Sequence, residues 1–153
     1  MKKFNIFMFL SAALLLTACH NSGLARKASS SDIPYTLAER YFQNNDVKTL
    51  PTNKVTTEKD FENLFGAAPV MGKNGMPTPI DFSKEYVIAV SKPETYYSTE
   101  LMPVSLKRDT SNNIIFTYKV VTKGGKQTYS IVPCLLIIVN NKEQGKITVR
   151  EIQ

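Results

Sequence analysis

Ile131-Val132-Pro133-Cys134-Leu135-Leu136-Ile137-Ile138-Val139 is an unbroken apolar run. It lies within the longest apolar strand that the sequence predicts, over residues 128–139. A strand with one solvent-exposed face alternates apolar and polar residues. Because this run is continuously apolar, it predicts a strand that is buried on both faces. Pro133 has no N–H to donate to a strand ladder. We therefore expect a bulge or a change of partner at this residue.

Four more strands are predicted on either side of this run. Residues 86–90 form a compact apolar stretch, and residues 101–108 alternate, with Val104 and Leu106 on one face. Residues 114–121 are rich in β-branched and aromatic side chains, which favour strands. Residues 147–152 form the last strand.

Turn residues separate these strands. Ser111-Asn112-Asn113 predicts a hairpin turn, Gly124-Gly125 predicts the next turn, and residues 140–146 reverse the chain again. Five strands joined by short turns favour an antiparallel meander.

Two short helices are predicted before the strands. Thr57, followed three residues later by Asp60, resembles a capping box, and Gly66 is a natural stop after the helically spaced residues Phe61, Leu64 and Phe65. Pro34 suits the first position of an earlier helix. That helix would place four residues on one face, Leu37, Ala38, Tyr41 and Phe42, whereas a strand through residues 40–42 is the alternative.

The predicted fold class is α+β and mainly antiparallel β. We expect a five-stranded curved sheet or small open barrel, with one or two short N-terminal helices packed over one face or end. The length favours one domain. Residues 33–153 are expected to form this single globular, β-rich domain.

The N-terminus has the pattern of a bacterial lipoprotein signal. Lys2 and Lys3 precede an apolar stretch over residues 4–16, which ends in Leu16-Thr17-Ala18-Cys19. A membrane-spanning helix needs about 20 apolar residues, so this stretch is too short to span. We expect a signal peptide over residues 1–18 and lipidation of Cys19. An ordinary secretory signal with a chance cysteine is the alternative.

Lipid on Cys19 would anchor the protein to a membrane, because two or three acyl chains, palmitate among them, hold a protein stably in a bilayer. Residues 19–32 are small, polar and Ser-rich, which is typical of a flexible tether. His20 stands where enterobacterial lipoproteins carry an aspartate for inner-membrane retention. No acidic run of the kind that resembles a Bacteroidota surface-export signal follows. We expect a cell-envelope protein at the outer membrane that faces the periplasm, with surface display as the alternative.

Composition argues against several function classes. The net charge is +6, but Lys and Arg are spread along the chain, so nucleic acid is not an expected partner. The chain has two cysteines, and lipid on Cys19 leaves Cys134 without an intramolecular disulfide partner. Cys134 is interpreted as a small buried apolar residue.

No catalytic or metal-binding constellation is evident. The chain has one histidine, His20, which lies on the tether, so nucleophilic arrangements lack a base and a zinc site lacks ligands. The glycines 124 and 125 lack the spacing of a phosphate-binding loop. No carboxylates are paired by their spacing. We expect a protein that is not an enzyme and that needs no metal or cofactor.

Two predicted loops carry binding candidates. The segment 91–99 contains Glu94 and the adjacent tyrosines Tyr96 and Tyr97, and a tyrosine on a loop is a rigid anchor with a polar tip. The proline-rich segment 71–79 contains Met76 and Pro77 and suits presentation to a protein groove. The alternatives are a ring folded back on the domain and a plain connecting loop.

A family resemblance points in the same direction. Thr78-Pro79-Ile80-Asp81-Phe82-Ser83-Lys84-Glu85-Tyr86-Val87-Ile88-Ala89-Val90 is similar to a stretch in the C-terminal domain of protease-complex stabilising proteins of the PrcB type, and residues 61–65 resemble the short helix before it. Residues 33–152 also resemble small Bacteroidota lipoproteins, some of which, the potempins, inhibit secreted peptidases. The resemblance implies a β scaffold and a peptidase partner. Residues 92–97 replace the Gly-rich turn of the PrcB-like pattern, so a shared contact surface is not implied.

The leading hypothesis is a lipid-anchored, non-catalytic protein-binding module that inhibits or stabilises a secreted peptidase. The first alternative is a glycan- or envelope-binding lipoprotein, although the absence of Trp argues mildly against a sugar platform. The second alternative is an enzyme that uses carboxylates alone, which would require two acids in one deep pocket.

Overall fold

A computed structural model describes residues 31–153. The predicted signal peptide, Cys19 and the tether up to residue 30 lie outside the described residues. Within residues 31–153, no helix is both long enough and apolar enough to cross a bilayer.

Five long strands carry the fold. They are β6 (Glu85–Ser91), β7 (Thr95–Arg108), β8 (Ile114–Ile131), β9 (Cys134–Asn140) and β10 (Ile147–Ile152). Five short strands and one helix precede them: β1 (Ser31–Asp32), β2 (Thr36–Leu37), β3 (Tyr41–Gln43), β4 (Lys54–Val55), α1 (Glu58–Leu64) and β5 (Phe65–Ala67). The mainly antiparallel β class is confirmed. Four of the predicted strands each fall on one long strand, whereas the strand predicted over residues 128–139 is divided between the end of β8 and β9.

The strands form two four-stranded open sheets rather than one. The first sheet has the order β1-β7-β8-β10, the second has the order β2-β9-β6-β4, and β3 pairs with β5 in a separate small sheet. The single five-stranded meander is therefore wrong. β9 pairs with β6 rather than with β8, and β10 lies parallel to β8 in an otherwise antiparallel set of pairs.

Two clusters of buried side chains explain this arrangement. Alternate residues of β6 and β9 point between the sheets and meet β7 and β8 side chains such as Leu106, Ile114 and Phe116. The remaining residues of β6 and β9 pack under α1 with Phe61 and Phe65. Both faces of β6 and β9 are thus buried, as their continuous hydrophobicity predicts. A single sheet with one covered face could not bury them both.

Pro133 marks a change of partner. The strand β8 ends at Ile131 beside β7, and β9 begins at Cys134 beside β6. Pro133 is buried, and its carbonyl accepts a hydrogen bond from Lys92 N at 2.9 Å. The predicted change of partner is confirmed. It allows one long apolar run to contribute a strand to each of the two four-stranded sheets.

The predicted helix at residues 57–66 is confirmed in its start and is shorter at its end. Thr57 is the N-cap, and its Oγ1 accepts a hydrogen bond from Asp60 N at 3.1 Å. The Thr57 hydroxyl also donates to Asp60 Oδ2 at 2.7 Å. The side chain of Asp60 therefore bonds to the Thr57 side chain. Phe65 and Gly66 belong to β5, because the extended backbone of Phe65 ends the helix.

The helix predicted after Pro34 is wrong. The alternative strand over residues 40–42 is correct for Tyr41 and Phe42, which lie in β3, but not for Arg40. Ala38 N donates to Leu136 O at 3.0 Å, and β3 pairs with β5. The backbone groups of this segment therefore hydrogen-bond to other strands instead of to one another. Arg40 has φ 64, which interrupts any helix. The short strand β1 pairs with β7 at Lys107 and Arg108, so Ser31 and Asp32, the last residues of the predicted tether, belong to the sheet.

The connection expected over residues 91–99 and the turn expected at Gly124-Gly125 are also wrong. Only residues 92–94 join β6 to β7, and β8 continues through both glycines to Ile131. The hairpin turn predicted at residues 111–113 is confirmed, since β7 ends at Arg108 and β8 begins at Ile114. Cross-strand pairing therefore extends far beyond the apolar parts of β7 and β8 that sequence patterning detects.

Candidate functional site

The first candidate surface is a two-stranded ribbon made of residues 95–100 of β7 and residues 121–131 of β8. β10 pairs with β8 only over residues 114–119, and β1 pairs with β7 only at residues 107 and 108. The ribbon therefore extends beyond the part of the sheet that has further strand neighbours. It carries three tyrosines with about half of their surface exposed: Tyr96 at 50%, Tyr97 at 47% and Tyr129 at 58%.

The ribbon is irregular at the tyrosines. Tyr97 lies opposite Lys126, and the next residue, Ser98, lies opposite Lys123, so Gly124 and Gly125 have no residue opposite them. Gly124 has φ 74, a conformation that glycine adopts readily. Such bulges bend a strand and re-aim its side chains. The glycine pair therefore shapes the end of the ribbon instead of reversing the chain.

Lysines flank the tyrosines. Lys126 Nζ lies 5.2 Å from the centroid of the Tyr96 ring, within cation–π range. Lys123 Nζ lies 2.7 Å from Glu100 Oε2 across the strand pair. The ribbon thus combines half-exposed aromatic rings with basic side chains, one of which is paired.

The second candidate surface is a groove at the base of the ribbon, with a volume of about 580 Å³. One wall is β3, and the other is the end of β8 with the start of β9. The groove is lined by Tyr41, Phe42, Gln43, Glu94, Ser130 and Ile131, among others. A smaller hollow of about 330 Å³ adjoins it. The two share Gln43, Asn45, Glu94 and Val132, and the smaller one is also lined by Lys48 and Lys92.

Gln43 and Cys134 lie against the wall of the groove. Gln43 is 4% exposed, and its Nε2 donates to Val47 O at 2.7 Å. Its Oε1 has no hydrogen-bond donor among residues 31–153. Burial raises the pKa of the Cys134 thiol above its ordinary value, so the thiol stays protonated near neutral pH. A nucleophilic cysteine needs the opposite shift.

The sequence-predicted binding residues fall into two groups. Tyr96 and Tyr97 lie on the ribbon, on a strand rather than a loop, and Glu94 lies at the ribbon base, where its carboxylate accepts a hydrogen bond from Ser130 Oγ. Met76 is 75% exposed and Pro77 is partly buried on a separate loop. Hydrogen bonds hold that loop against the start of β3: Arg40 Nε donates to Asn74 O, and Tyr41 Oη donates to Thr78 O.

Sequence reasoning missed Gln43, Val132 and Tyr129. A signal existed for Gln43, since in a strand it shares a face with Tyr41, which packs against the core cluster under α1. Tyr129 falls within the apolar strand predicted over residues 128–139, and nothing in that pattern marks it as a binding residue. No local pattern marked Val132, because its role depends on the distant strand β3.

Several carboxylates in the described part of the chain accept hydrogen bonds, some within one turn and some between distant segments. Lys84 donates to Asp81 at 2.6 Å, which together with Ser83 lowers the pKa of Asp81 to about 2. Lys92 and the Tyr118 hydroxyl both donate to Glu151, and they lower its pKa. Arg108 Nη2 lies 2.5 Å from Glu143 Oε2.

Two further acids share a hollow of about 560 Å³ beside α1. Glu58 and Glu62 are both exposed, so they lie at its solvent side. Among residues 31–153, no group of three or more His, Cys, Asp or Glu side chains is placed to hold a metal ion.

Comparison of the chain with protein-family models, with curated proteins and with solved structures gives no significant match. Function is therefore inferred from the ribbon, the groove and the N-terminal sequence.

Proposed function

We propose that this protein is a lipid-anchored, non-catalytic protein-binding module of the cell envelope, and that its partner is a secreted peptidase that it inhibits or stabilises. The observation that carries the binding role is the ribbon with Tyr96, Tyr97 and Tyr129 about half exposed. Aromatic side chains of this kind dominate the energetics of protein interfaces.

The backbone of the ribbon favours tight binding. Tyr97 lies opposite Lys126, and the pairs Thr95–Ile131 and Ser98–Lys123 hold the backbone on both sides of the irregular stretch that carries the other two tyrosines. Association loses less conformational entropy when the binding segment is already ordered. A projecting ribbon can block a cleft by occupying it. The resemblance of residues 78–90 to PrcB-type domains supports peptidases as the partner class.

The binding role can be tested with secreted peptidases of the same organism. The chain from His20 onward should form a complex that elutes earlier in size-exclusion chromatography or changes peptidase activity. The double variant Tyr96→Ala/Tyr97→Ala should weaken this complex by about tenfold or more, because truncated interface anchors typically cost about 2 kcal/mol.

The matched control is Met71→Ala, at a fully exposed residue outside the ribbon. It should leave the affinity unchanged. Equal affinity of the double variant and the control would contradict the ribbon as the binding surface. No complex with any secreted peptidase would contradict the peptidase partner.

The anchor has its own test. Radiolabelled palmitate should enter the protein, and Cys19→Ala should abolish the label and release the protein from outer-membrane fractions. Cys134→Ala is the control, and it should keep the label. A Cys19→Ala protein that stays in the membrane fraction would contradict lipid anchoring.

A glycan- or envelope-binding role is the second candidate. The exposed tyrosine rings that favour a protein partner also offer faces on which sugars can stack. This candidate predicts binding to a glycan array or to peptidoglycan fragments, with loss in Tyr96→Ala/Tyr97→Ala. An array without hits would count against it.

A further inference from the structure

We propose that one pole of the domain, the tether pole, faces the anchoring bilayer, and that the ribbon points away from the bilayer towards a soluble protein partner. The tether pole consists of Ser31, the hairpin turn at residues 109–113 and the turn at residues 141–146. This inference rests on the proposed function, since it requires lipid on Cys19 and states from which side the partner is bound.

The side chains of the ribbon suit two different partners. Tyrosine rings and lysines occur at protein interfaces, but they also lie at bilayer surfaces, where tyrosine keeps its hydroxyl in water and lysine meets anionic lipid. Tyr96, Tyr97 and Tyr129 are about half exposed, and Lys123 and Lys126 flank them. Residue types alone therefore do not separate a protein partner from a lipid surface, whereas the position of the ribbon relative to the anchor does.

The predicted tether is attached at the opposite end of β7 from the ribbon. Ser31 pairs with Arg108, the last residue of β7, whereas Tyr97 lies near the beginning of the same strand. At about 3.3 Å per residue, β7 covers roughly 30–35 Å between Arg108 and Tyr97. The point of attachment and the ribbon are thus the two ends of one strand.

Hydrogen bonds fix the tether pole to the sheet that carries the ribbon. Ile33 N donates to Leu106 O at 2.8 Å, so the chain after β1 stays beside β7. Arg108 joins the two turns, since its guanidinium donates to Asn112 Oδ1 at 2.8 Å and to Gln144 O at 2.6 Å. The separation of the tether pole from the ribbon is therefore a property of the folded domain.

The predicted tether is short compared with this separation. From Cys19 to Ser31 the chain can extend over at most about 40 Å. A flexible chain of this length spans about 20 Å on average. Contact of the ribbon with the bilayer would require the tether to run back along most of the roughly 30–35 Å of β7. The tether pole therefore stays nearer to the bilayer than the ribbon does.

The surface of the tether pole suits a position beside the bilayer rather than within its apolar core. The large hydrophobic side chains that are exposed among residues 31–153 all lie outside this pole, and three of them are the ribbon tyrosines. Opposite charges are paired at the pole, as between Arg108 and Glu143. Lipid on Cys19, and not insertion of the pole, is what holds this end at the membrane.

The test uses the full, lipid-carrying protein in vesicles of phosphatidylethanolamine and phosphatidylglycerol that contain a nickel-chelating lipid. Cys134→Ala removes the free thiol, and a spin label is attached to one new cysteine at a time. Thr110→Cys marks the tether pole, Val104→Cys marks β7 and Gly125→Cys marks the ribbon, where no heavy atom lies within 4 Å of the Cβ position. Because the effect of nickel falls steeply with distance, relaxation should be severalfold faster at residue 110 than at residue 125, with residue 104 between them.

A label at residue 125 that relaxes as fast as the label at residue 110 would overturn the proposal, because it would place the ribbon on the bilayer. A shortened tether gives a second measurement. Deletion of residues 22–28 should speed relaxation at residue 110 and leave it slow at residue 125. If the ribbon docked on the bilayer, the same deletion would pull it away and slow a relaxation that had been fast.

The results distinguish this orientation from the proposed function. If Cys19 carries lipid and residue 125 lies at the bilayer, the orientation fails alone and the anchor stands. If the gradient from residue 110 to residue 125 is found but no secreted peptidase binds, the peptidase partner fails and the orientation stands. A chain without lipid at Cys19 contradicts both the anchor and the orientation.

Discussion

Gly145 lies where two distant parts of the chain meet, just before β10. It has φ +154, and a Cβ atom built on it would lie 2.4 Å from the carbonyl oxygen of Asn112. The neighbouring Gln144 carbonyl accepts a hydrogen bond from Arg108 at 2.6 Å. A side chain at residue 145 would therefore push the turn after β9 away from the hairpin turn between β7 and β8.

We expect Gly145→Ala to lower the free energy of unfolding by about 2 kcal/mol or more, because the clash is with backbone and the φ value strains an alanine. Gly125→Ala is the matched control, since no heavy atom lies within 4 Å of its Cβ position. Urea unfolding followed by circular dichroism measures both values. Equal stability of the two variants would show that the backbone at Gly145 relaxes freely.

Asp81 makes stability depend on pH. Lys84 and Ser83 bond to its carboxylate and lower its pKa from 3.8 to about 2. Because the folded pKa is depressed, the stabilising contribution is present above about pH 4 and is lost as the pH falls towards 2. Asp109 and Glu151 also have lowered pKa values, so they add to the same trend.

We expect the free energy of unfolding to fall between pH 5 and about pH 2, and Asp81→Asn to make this fall shallower. Asp46→Asn, at an exposed turn residue, is the control and should keep the full slope. Urea unfolding at several pH values measures the slope. An unchanged slope in Asp81→Asn would assign the acid sensitivity to other carboxyls.

The helix α1 begins after its N-cap residue, Thr57, as the local sequence predicts. It is too short to be stable by itself, so its packing through Phe61 and its cap at Thr57 must hold it. Thr57→Ala should lower the free energy of unfolding by about 1 kcal/mol, the usual loss for a removed N-cap. Chemical denaturation measures this loss. The exposed neighbour Thr56→Ala should have almost no effect, and equal losses in both variants would contradict the cap.

The segment before β3 shows why a helical pattern can mislead. Leu37 is 38% exposed and Phe42 is 45% exposed, while Ala38 is buried, so the four apolar residues do not share one face. β9 and β5 provide hydrogen-bond partners that a local pattern cannot reveal. Tertiary pairing overrides weak helical periodicity over so short a segment.

The two buried clusters share β6 and β9, so they should unfold together. Phe116 is fully buried between the sheets, and Phe61 is 5% exposed under α1. Each substitution by alanine should lower the free energy of unfolding by about 3–5 kcal/mol. In both variants, the tyrosine fluorescence and circular dichroism transitions should coincide, as for one cooperative unit.

Val104→Ala, at a residue 45% exposed on β7, is the control and should change stability by less than about 0.5 kcal/mol. Two separate transitions in Phe61→Ala, with the sheet core unfolding later, would contradict the single cooperative unit.

The residues of the ribbon could be recognised from local sequence, whereas the groove depends on contacts between distant residues. Tyr96, Tyr97 and Glu94 were identified from their residue types and their neighbours along the chain. The groove was not, because Gln43 and Val132 are far apart in sequence and meet only when β3 lies beside the end of β8. No periodicity or motif in the sequence predicts this contact between distant residues.

The sequence by itself determined the apolar parts of the five long strands, the start of α1 and the break at Pro133. These features depend on the alternation of side chains, on a capping hydroxyl and on a missing N–H, all of which act within a few residues. Only the tertiary structure decided that the strands form two sheets, that β10 runs parallel to β8 and that the ribbon and the groove exist. Those outcomes depend on which distant strands bury each other's apolar faces, and that is a property of the whole packed chain.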